Sequence, residues 1–316
     1  MKYYPYLRGK QFELIALREM CSFMERIDIV SPIIEPVKKG NTTLVKTIEC
    51  LKEKGINFNL IFNPQDGEIK QKESGFEEFI DYVLPVIGGY KNYQPSFIIN
   101  ERTNIPWITS TITNRELQNI TLIFTQLPQD EAAMEFLSNT GLISNFILLQ
   151  TDSSVRRLSR RFRTVGNIIM LEDKFNLKQK NADYADPDDE PFSEDHLYFE
   201  DEGYSGFSDY LTIGNVYNEG GFLPYAVAIH LTYFAEDNIR VHHFVSDSND
   251  DNEDVPGKVA EALAKLIPFI DAHGMNTTAC NQFRHIQSTG AYPGLGPIKK
   301  LSILNHIEII YDFFTR

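Results

Sequence analysis

Phe146-Ile147-Leu148-Leu149-Gln150-Thr151-Asp152, followed by a helical segment over residues 153–162 and then Ile168-Ile169-Met170-Leu171-Glu172-Asp173, is one complete turn of a repeating plan. A short apolar run stops on polar or acidic residues, a helix follows, and the next apolar run begins. The plan continues outward in both directions. Upstream, runs 3–7, 30–34, 58–62, 97–99 and 122–125 stop at Arg8, Glu35, Asn63, Asn100-Glu101 and Gln126. Downstream, run 210–213 stops at Asn215, which makes eight. Eight strand–tip–helix units predict an α/β fold, a (β/α)8 TIM-like barrel with its chemistry at the carboxyl tips of the strands.

The helices expected between the strands lie at 10–24, 42–55, 75–87, within 112–119, at 129–138 and at 153–162. Residues 1–316 read as a single barrel domain with two additions. An acidic, loop-like insertion at 174–208 follows the seventh strand. After the eighth, 224–248 reads as a β-hairpin closing through Ala235-Glu236-Asp237-Asn238. Further helices are expected at 257–272, 277–287 and 297–314.

The net charge of −14 is concentrated. Residues 182–209 carry eleven carboxylates and no Lys or Arg, and 247–254 carry five more. Without these two segments the chain is nearly neutral, so net charge alone does not exclude nucleic acid. No apolar stretch approaches the roughly 20 residues that cross a bilayer. Met1 is followed by a strand-like run, without a signal-peptide core. Cys21, Cys50 and Cys280 are too few and too scattered for a disulfide framework or a zinc ladder. A reduced, cytoplasmic protein is expected.

The candidate chemistry starts at the tips. Glu35, Glu101, Asp152 and Glu172 are the candidate catalytic carboxylates, with Arg8 and Asn63 as ligand-binding partners. A ring of carboxylates could hold Mg²⁺ or Mn²⁺ or supply an acid–base pair. Equally, each tip could be solvated or cap the next helix. Asp152 with Glu172-Asp173-Lys174 imitates the carboxylate and E-x-K pattern of metal-dependent nucleases, although here the acids fall on separate strands. In the hairpin, symmetric closure pairs residues whose numbers sum to 473, which sets His230 opposite His243. That pair could ligate a metal with a third donor, or simply hydrogen-bond to one another. Arg156, Arg160 and Arg163 share a face of the sixth helix. They could meet phosphate, an acidic partner protein or the chain's own insertion, or be a solvated face. There is no P-loop, nucleophile elbow, complete calcium loop or dinucleotide fingerprint.

Two blocks resemble a known family. Tyr3-Tyr4-Pro5-Tyr6-Leu7-Arg8-Gly9-Lys10-Gln11-Phe12-Glu13 is the first. The second runs through Ser208-Asp209-Tyr210, Gly220-Gly221 and Pro224-Tyr225-Ala226-Val227-Ala228-Ile229-His230-Leu231-Thr232-Tyr233. Both are similar to the bacterial "beta protein" family. That resemblance implies a barrel of about this size and an association with mobile-element or phage-defence gene neighbourhoods, often beside a nuclease-like protein. It transfers no catalytic role, but it adds Lys10, Glu13, Asp209, Tyr210 and His230 to the candidates.

Two readings follow. One is a hydrolase or lyase acting at the rim on a phosphate-bearing or nucleotide-like ligand, with or without a divalent metal. The other is a non-catalytic sensor or binding module that docks a nuclease-like partner through the arginine helix or the acidic insertion.

Overall fold

The computed structural model describes residues 1–69, 71–220 and 223–316, and Gly221 of the second family block lies outside them. The chain forms two compact units. The first contains Met1–Leu14, Met24–Glu172 and Asp195–Asp209; the second contains Ile15–Phe23, Asp173–Glu194 and Tyr210–Arg316.

Eight parallel strands, all of the first unit, alternate with helices in a nearly closed (β/α)8 barrel. In chain order these are β1 (Tyr6–Leu7), α1 (Gln11–Met20), β2 (Ile33–Ile34), α2 (Thr42–Glu53), β3 (Phe58–Ile61) and α3 (Glu73–Ile87). They continue with β4 (Tyr93–Ile99), α4 (Ile105–Asn114), β5 (Ile120–Phe124), α5 (Glu131–Ser138) and β6 (Ile143–Leu149). Next come α6 (Ser153–Arg156), α7 (Leu158–Phe162) and β7 (Asn167–Glu172). A strand of the second unit, β8 (Asp189–Ser193), and the short α8 (Asp195–Tyr198) precede β9 (Gly206–Asp209), the eighth barrel strand. Tyr3 closes the circle by pairing in parallel with both Val30 and Phe207. Phe207 N–H donates to the Lys2 carbonyl and Tyr4 N–H to the Phe207 carbonyl, each at 2.9 Å. Gly206 makes the approach possible, because a Cβ there would lie 2.8 Å from the Lys2 carbonyl and from the Tyr4 ring.

The strand interiors are buried and mostly aliphatic or aromatic, as their apolar runs require. Toward their amino ends they carry a polar ladder, buried from Ser31 to Asn145 and reaching the surface at Asn167. Asn59 Nδ2 donates to Ser31 Oγ (3.0 Å), Thr121 Oγ1 to Asn59 Oδ1 (2.8 Å), Asn145 Nδ2 to Thr121 Oγ1 (3.1 Å) and Asn167 Nδ2 to Asn145 Oδ1 (3.1 Å). Each neutral group finds a neutral partner, so the polar atoms are buried without the cost of an unmade bond.

Four expectations are corrected. The fourth helix spans Ile105–Asn114, not a segment of 112–119, because Asn104 accepts the Trp107 N–H as a cap and Pro106 fits the first turn. The eighth strand is Gly206–Asp209, and Leu211–Ile213 of the expected run form a 3₁₀ turn. The sixth helix is broken at Arg157 into α6 and α7, so the expected single arginine face is interrupted. Lastly, residues 174–208 are not a loop but contain a 3₁₀ turn (Asn181–Ala185), β8 and α8.

The second unit contains a three-stranded antiparallel sheet in the order β10 (Ala228–Ala235), β11 (Asn238–Val245), β8. The hairpin expected at 224–248 is present with the expected register, Ala235 opposite Asn238 and His230 opposite His243. Three helices accompany it: α9 (Val255–Ala272), α10 (Thr278–Thr289) and α11 (Leu295–Thr315). Asn305 of α11 donates to the Thr232 carbonyl at 2.7 Å and His306 meets the Thr232 hydroxyl at 3.0 Å, which fixes this helix on β10. Among the described residues no helix is long and apolar enough to cross a membrane.

Candidate functional site

The tips of the first four barrel strands are joined by one hydrogen-bond network. Glu35, immediately after β2, is only 2% exposed. Its Oε2 accepts from the Tyr6 hydroxyl of β1 and its Oε1 from the Gln65 N–H, both at 2.7 Å. Burial pushes the carboxyl above its usual range, and the bonds from Gln65 and Tyr6 with the nearby Arg8 only partly offset this. Arg8, 7% exposed, pairs through Nε with Asp66 Oδ2 at 3.1 Å, and its backbone N–H donates to Glu13 at 2.7 Å.

The loop after β3 supplies both Gln65 and Asp66, and its path is set by Gly67. This residue has φ near +87°, and a Cβ there would overlap the Val37 backbone just beyond β2. Glu68 N–H completes the contact by donating to the Val37 carbonyl at 2.8 Å. Asn63 clamps β3 to β4: its amide donates to the Ile98 carbonyl and accepts the Ile98 N–H, each at 2.8 Å. Gln65 then donates to the Asn63 carbonyl at 2.6 Å and accepts from Asn100 Nδ2 at 3.1 Å.

This network backs a cavity of about 800 Å³ formed by the loops after β3, β4 and β5. Amides line it at Asn63, Gln65, Asn100 and Gln126, aromatic rings at Phe76 and Trp107, and cations at Lys72 and Arg102. The two rings lie 5.5 Å apart, and the Trp107 indole N–H is held by Glu77 at 3.0 Å. The volume falls within the range of small-molecule and cofactor sites.

The expected ring of catalytic carboxylates is not gathered at one point. Glu35 belongs to the β1–β4 network. Glu101 is exposed on the cavity wall, 3.6 Å from Arg102. Asp152 caps α6, accepting from the Ser154 and Val155 N–H groups at 2.8 and 3.3 Å. Those bonds, the Ser154 hydroxyl above all, hold its carboxyl below the usual range. Glu172 ends β7 opposite Asp209 of β9, and Asp209 accepts the Tyr3 hydroxyl at 2.8 Å. Among the described residues no three His, Cys, Asp or Glu side chains come together in a group that could hold a metal ion.

The remaining candidates are placed as follows. Lys10 is half-buried just before α1. Tyr210, in the second unit, accepts through its carbonyl the Ile213 and Gly214 N–H groups at 3.2 Å. His230 and His243 bond to one another through their Nδ1 atoms at 2.8 Å, the alternative anticipated for the facing pair. Arg156 and Arg160 are exposed and form no ion pair among the described residues, whereas Arg163 reaches the Glu202 carbonyl at 3.4 Å. The acidic insertion turns two of its carboxylates onto the hairpin. Asp189 accepts from Tyr233 at 2.8 Å and binds Arg240 and His242, while Glu190 faces His243 at 3.2 Å.

Tyr6, Gln65 and Asp66 were not foreseen. Gln65 and Asp66 lie beyond the strand tip, and only the Pro64-Gln65-Asp66-Gly67 turn signal marks their loop. Among models of known protein families and among curated proteins, nothing matches this chain.

Proposed function

We propose that the protein is a barrel hydrolase or lyase that binds a phosphate-bearing, nucleotide-like small molecule at the rim over β3–β5. The supporting observation is the make-up of the cavity. Phe76 and Trp107 offer an aromatic wall for a planar ring, the amides offer paired donors and acceptors for its edge, and Lys72 and Arg102 offer charge for phosphate. Glu35 is the proton-transferring group of this reading. Its carboxyl is one hydrogen bond behind Gln65, and burial raises its pKa, the direction that a carboxyl acting as a general acid needs. Arg8 and Asp66 set the local field.

Trp107 is the only tryptophan of the chain, so its fluorescence reports on this cavity alone. Titration with nucleoside mono-, di- and triphosphates should give a saturable change. Lys72→Ala combined with Arg102→Ala should weaken binding of the phosphorylated ligands about tenfold. Absence of any saturable response or thermal shift across that panel would rule the reading out.

The similarity of residues 3–13 and 208–233 to the beta protein family supports a bacterial, cytoplasmic setting in phage defence or on mobile elements. A second reading, a module that docks a nuclease-like acidic partner, is favoured by one observation: among the described residues Arg156 and Arg160 are exposed without a carboxylate. The insertion suits docking less well, since Asp189 and Glu190 are occupied within the sheet. Copurification from the native host with Arg156→Ser and Arg160→Ser tests this, and an unchanged partner set would count against it.

A further inference from the structure

The contact between His230 and His243 is part of a longer chain of groups with a defined direction. His243 Nε2 lies 3.2 Å from Glu190 Oε1, and Glu190 Oε2 accepts from Asn176 Nδ2 at 3.1 Å. A carboxylate only accepts, so neutral His243 carries its proton on Nε2 and offers a lone pair at Nδ1. The 2.8 Å contact between the two Nδ1 atoms must therefore be filled by the proton of His230. Both tautomers follow from one carboxylate, and Nε2 of His230 is left as a lone pair.

That nitrogen has no hydrogen-bond partner among the described residues and is not sealed from solvent. His243 is buried whereas His230 is partly exposed, so the chain of groups runs from the interior outward. The rings of Tyr184 and Phe175 stand nearly edge-on to His230, with centroids 4.5 and 4.9 Å away. The arrangement is anchored by the hairpin register and by the Tyr184 hydroxyl, which accepts the Lys178 N–H at 3.0 Å.

We propose that Glu190, His243 and His230 form a hydrogen-bonded triad in which His230 Nε2 is the base for an O–H ligand, either water or the hydroxyl of a small neutral or anionic molecule. The O–H bond breaks, its proton passes to Nε2, and the electron pair stays on the oxygen. The resulting imidazolium keeps its Nδ1–H bond to His243, and Glu190 stabilises the positive charge through His243. Burial of most of the ring, with His243 and Lys299 nearby, holds the His230 pKa well below its usual value, so the ring is neutral and able to accept at neutral pH. Lys299 also favours an anionic ligand over a cationic one. The other ionisable groups near the pair are Glu190, Lys178, Tyr184 and His242. This site lies in the second unit and does not depend on the rim reading.

Two measurements on the full chain test it. Long-range ¹⁵N–¹H NMR should show His243 protonated at Nε2 and His230 at Nδ1; the reverse assignment, or two rapidly exchanging rings, overturns the triad. Diethyl pyrocarbonate acylates unprotonated imidazole, its carbonyl carbon bonding to Nε2 as ethyl carbonate leaves. Mapped by mass spectrometry at pH 6, His230 should react severalfold faster than the exposed His285. Glu190→Gln, which can still accept from His243 but lacks the charge, should slow His230 severalfold without changing His285. Equal rates in the parent protein, or a His230 rate indifferent to Glu190→Gln, would refute the proposal.

Discussion

The two ends of the barrel strands treat buried polar groups in opposite ways. Near the amino ends, Ser31, Asn59, Thr121, Asn145 and Asn167 form a neutral ladder that satisfies its own members. At the carboxyl ends, Tyr6, Glu35, Gln65, Arg8 and Asp66 bury charge, leave a carboxyl with a raised pKa and adjoin a cavity. One end is built to be finished and the other to remain responsive. In a barrel this is the expected division between stability and chemistry.

The comparison can be broken most forcefully at Glu35. Glu35→Gln should lower turnover about 10²- to 10⁴-fold, the usual contribution of a general acid–base group. Its stability should move the other way. Because the folded-state pKa is raised, the folded protein binds more protons than the unfolded chain between the two pKa values, and stability falls as pH rises through that window. Glu35→Gln should therefore match or exceed the parent melting temperature at pH 8, with the advantage vanishing near pH 4.5. A lower melting temperature at pH 8 would show that the carboxylate is structural.

Asn59→Ala should have the converse signature. It removes a donor to Ser31 and the acceptor of Thr121, at a cost of about 2–4 kcal/mol in urea unfolding. The Trp107 titration should be unaffected; a weakened ligand response would mean that the two ends are coupled. Arg8→Met leaves Asp66 unpaired, and because Asp66 is partly exposed the cost should be only about 1–2 kcal/mol. Removing that cation should also push the Glu35 pKa higher, visible as an upward shift in the pH at which the fall in stability ends. The smallest effect is expected at Arg160→Ser, within about 0.5 kcal/mol of the parent because the side chain is exposed and has no ion pair among the described residues.

Strands with long apolar runs, such as β6 and β7, were legible because burial on both faces leaves little choice of residue. β9 was not, since Gly206-Phe207-Ser208-Asp209 has one large apolar side chain and owes its place to the small Gly206. The fourth helix was misplaced because Ile105–Asn114 is rich in Thr and Ser, while its true signal was the Asn104 cap and Pro106. The hairpin register was recoverable because a two-residue turn leaves a single symmetric pairing. At the rim, Glu35 and Arg8 could be read as tips, and both lie in the network. Asp152 reads in the same way but caps α6, because a tip carboxylate can satisfy helix N–H groups instead of a ligand. Gln65 and Asp66 depend on the approach of one loop to Val37, a contact that local sequence does not encode.

The pairing of Tyr3 with Phe207 has a consequence for the order of events during synthesis. The opening strand emerges first, yet its second neighbour lies about 200 residues later. Until β9 arrives, the growing sheet presents two open edges, one of them led by buried aromatic residues. Strands β1 to β4, which carry the rim network, can pair long before that. Closure is a late and long-range event, so a ribosome pause before Phe207 would prolong the life of a nascent chain that has its candidate chemistry assembled and its edges unprotected.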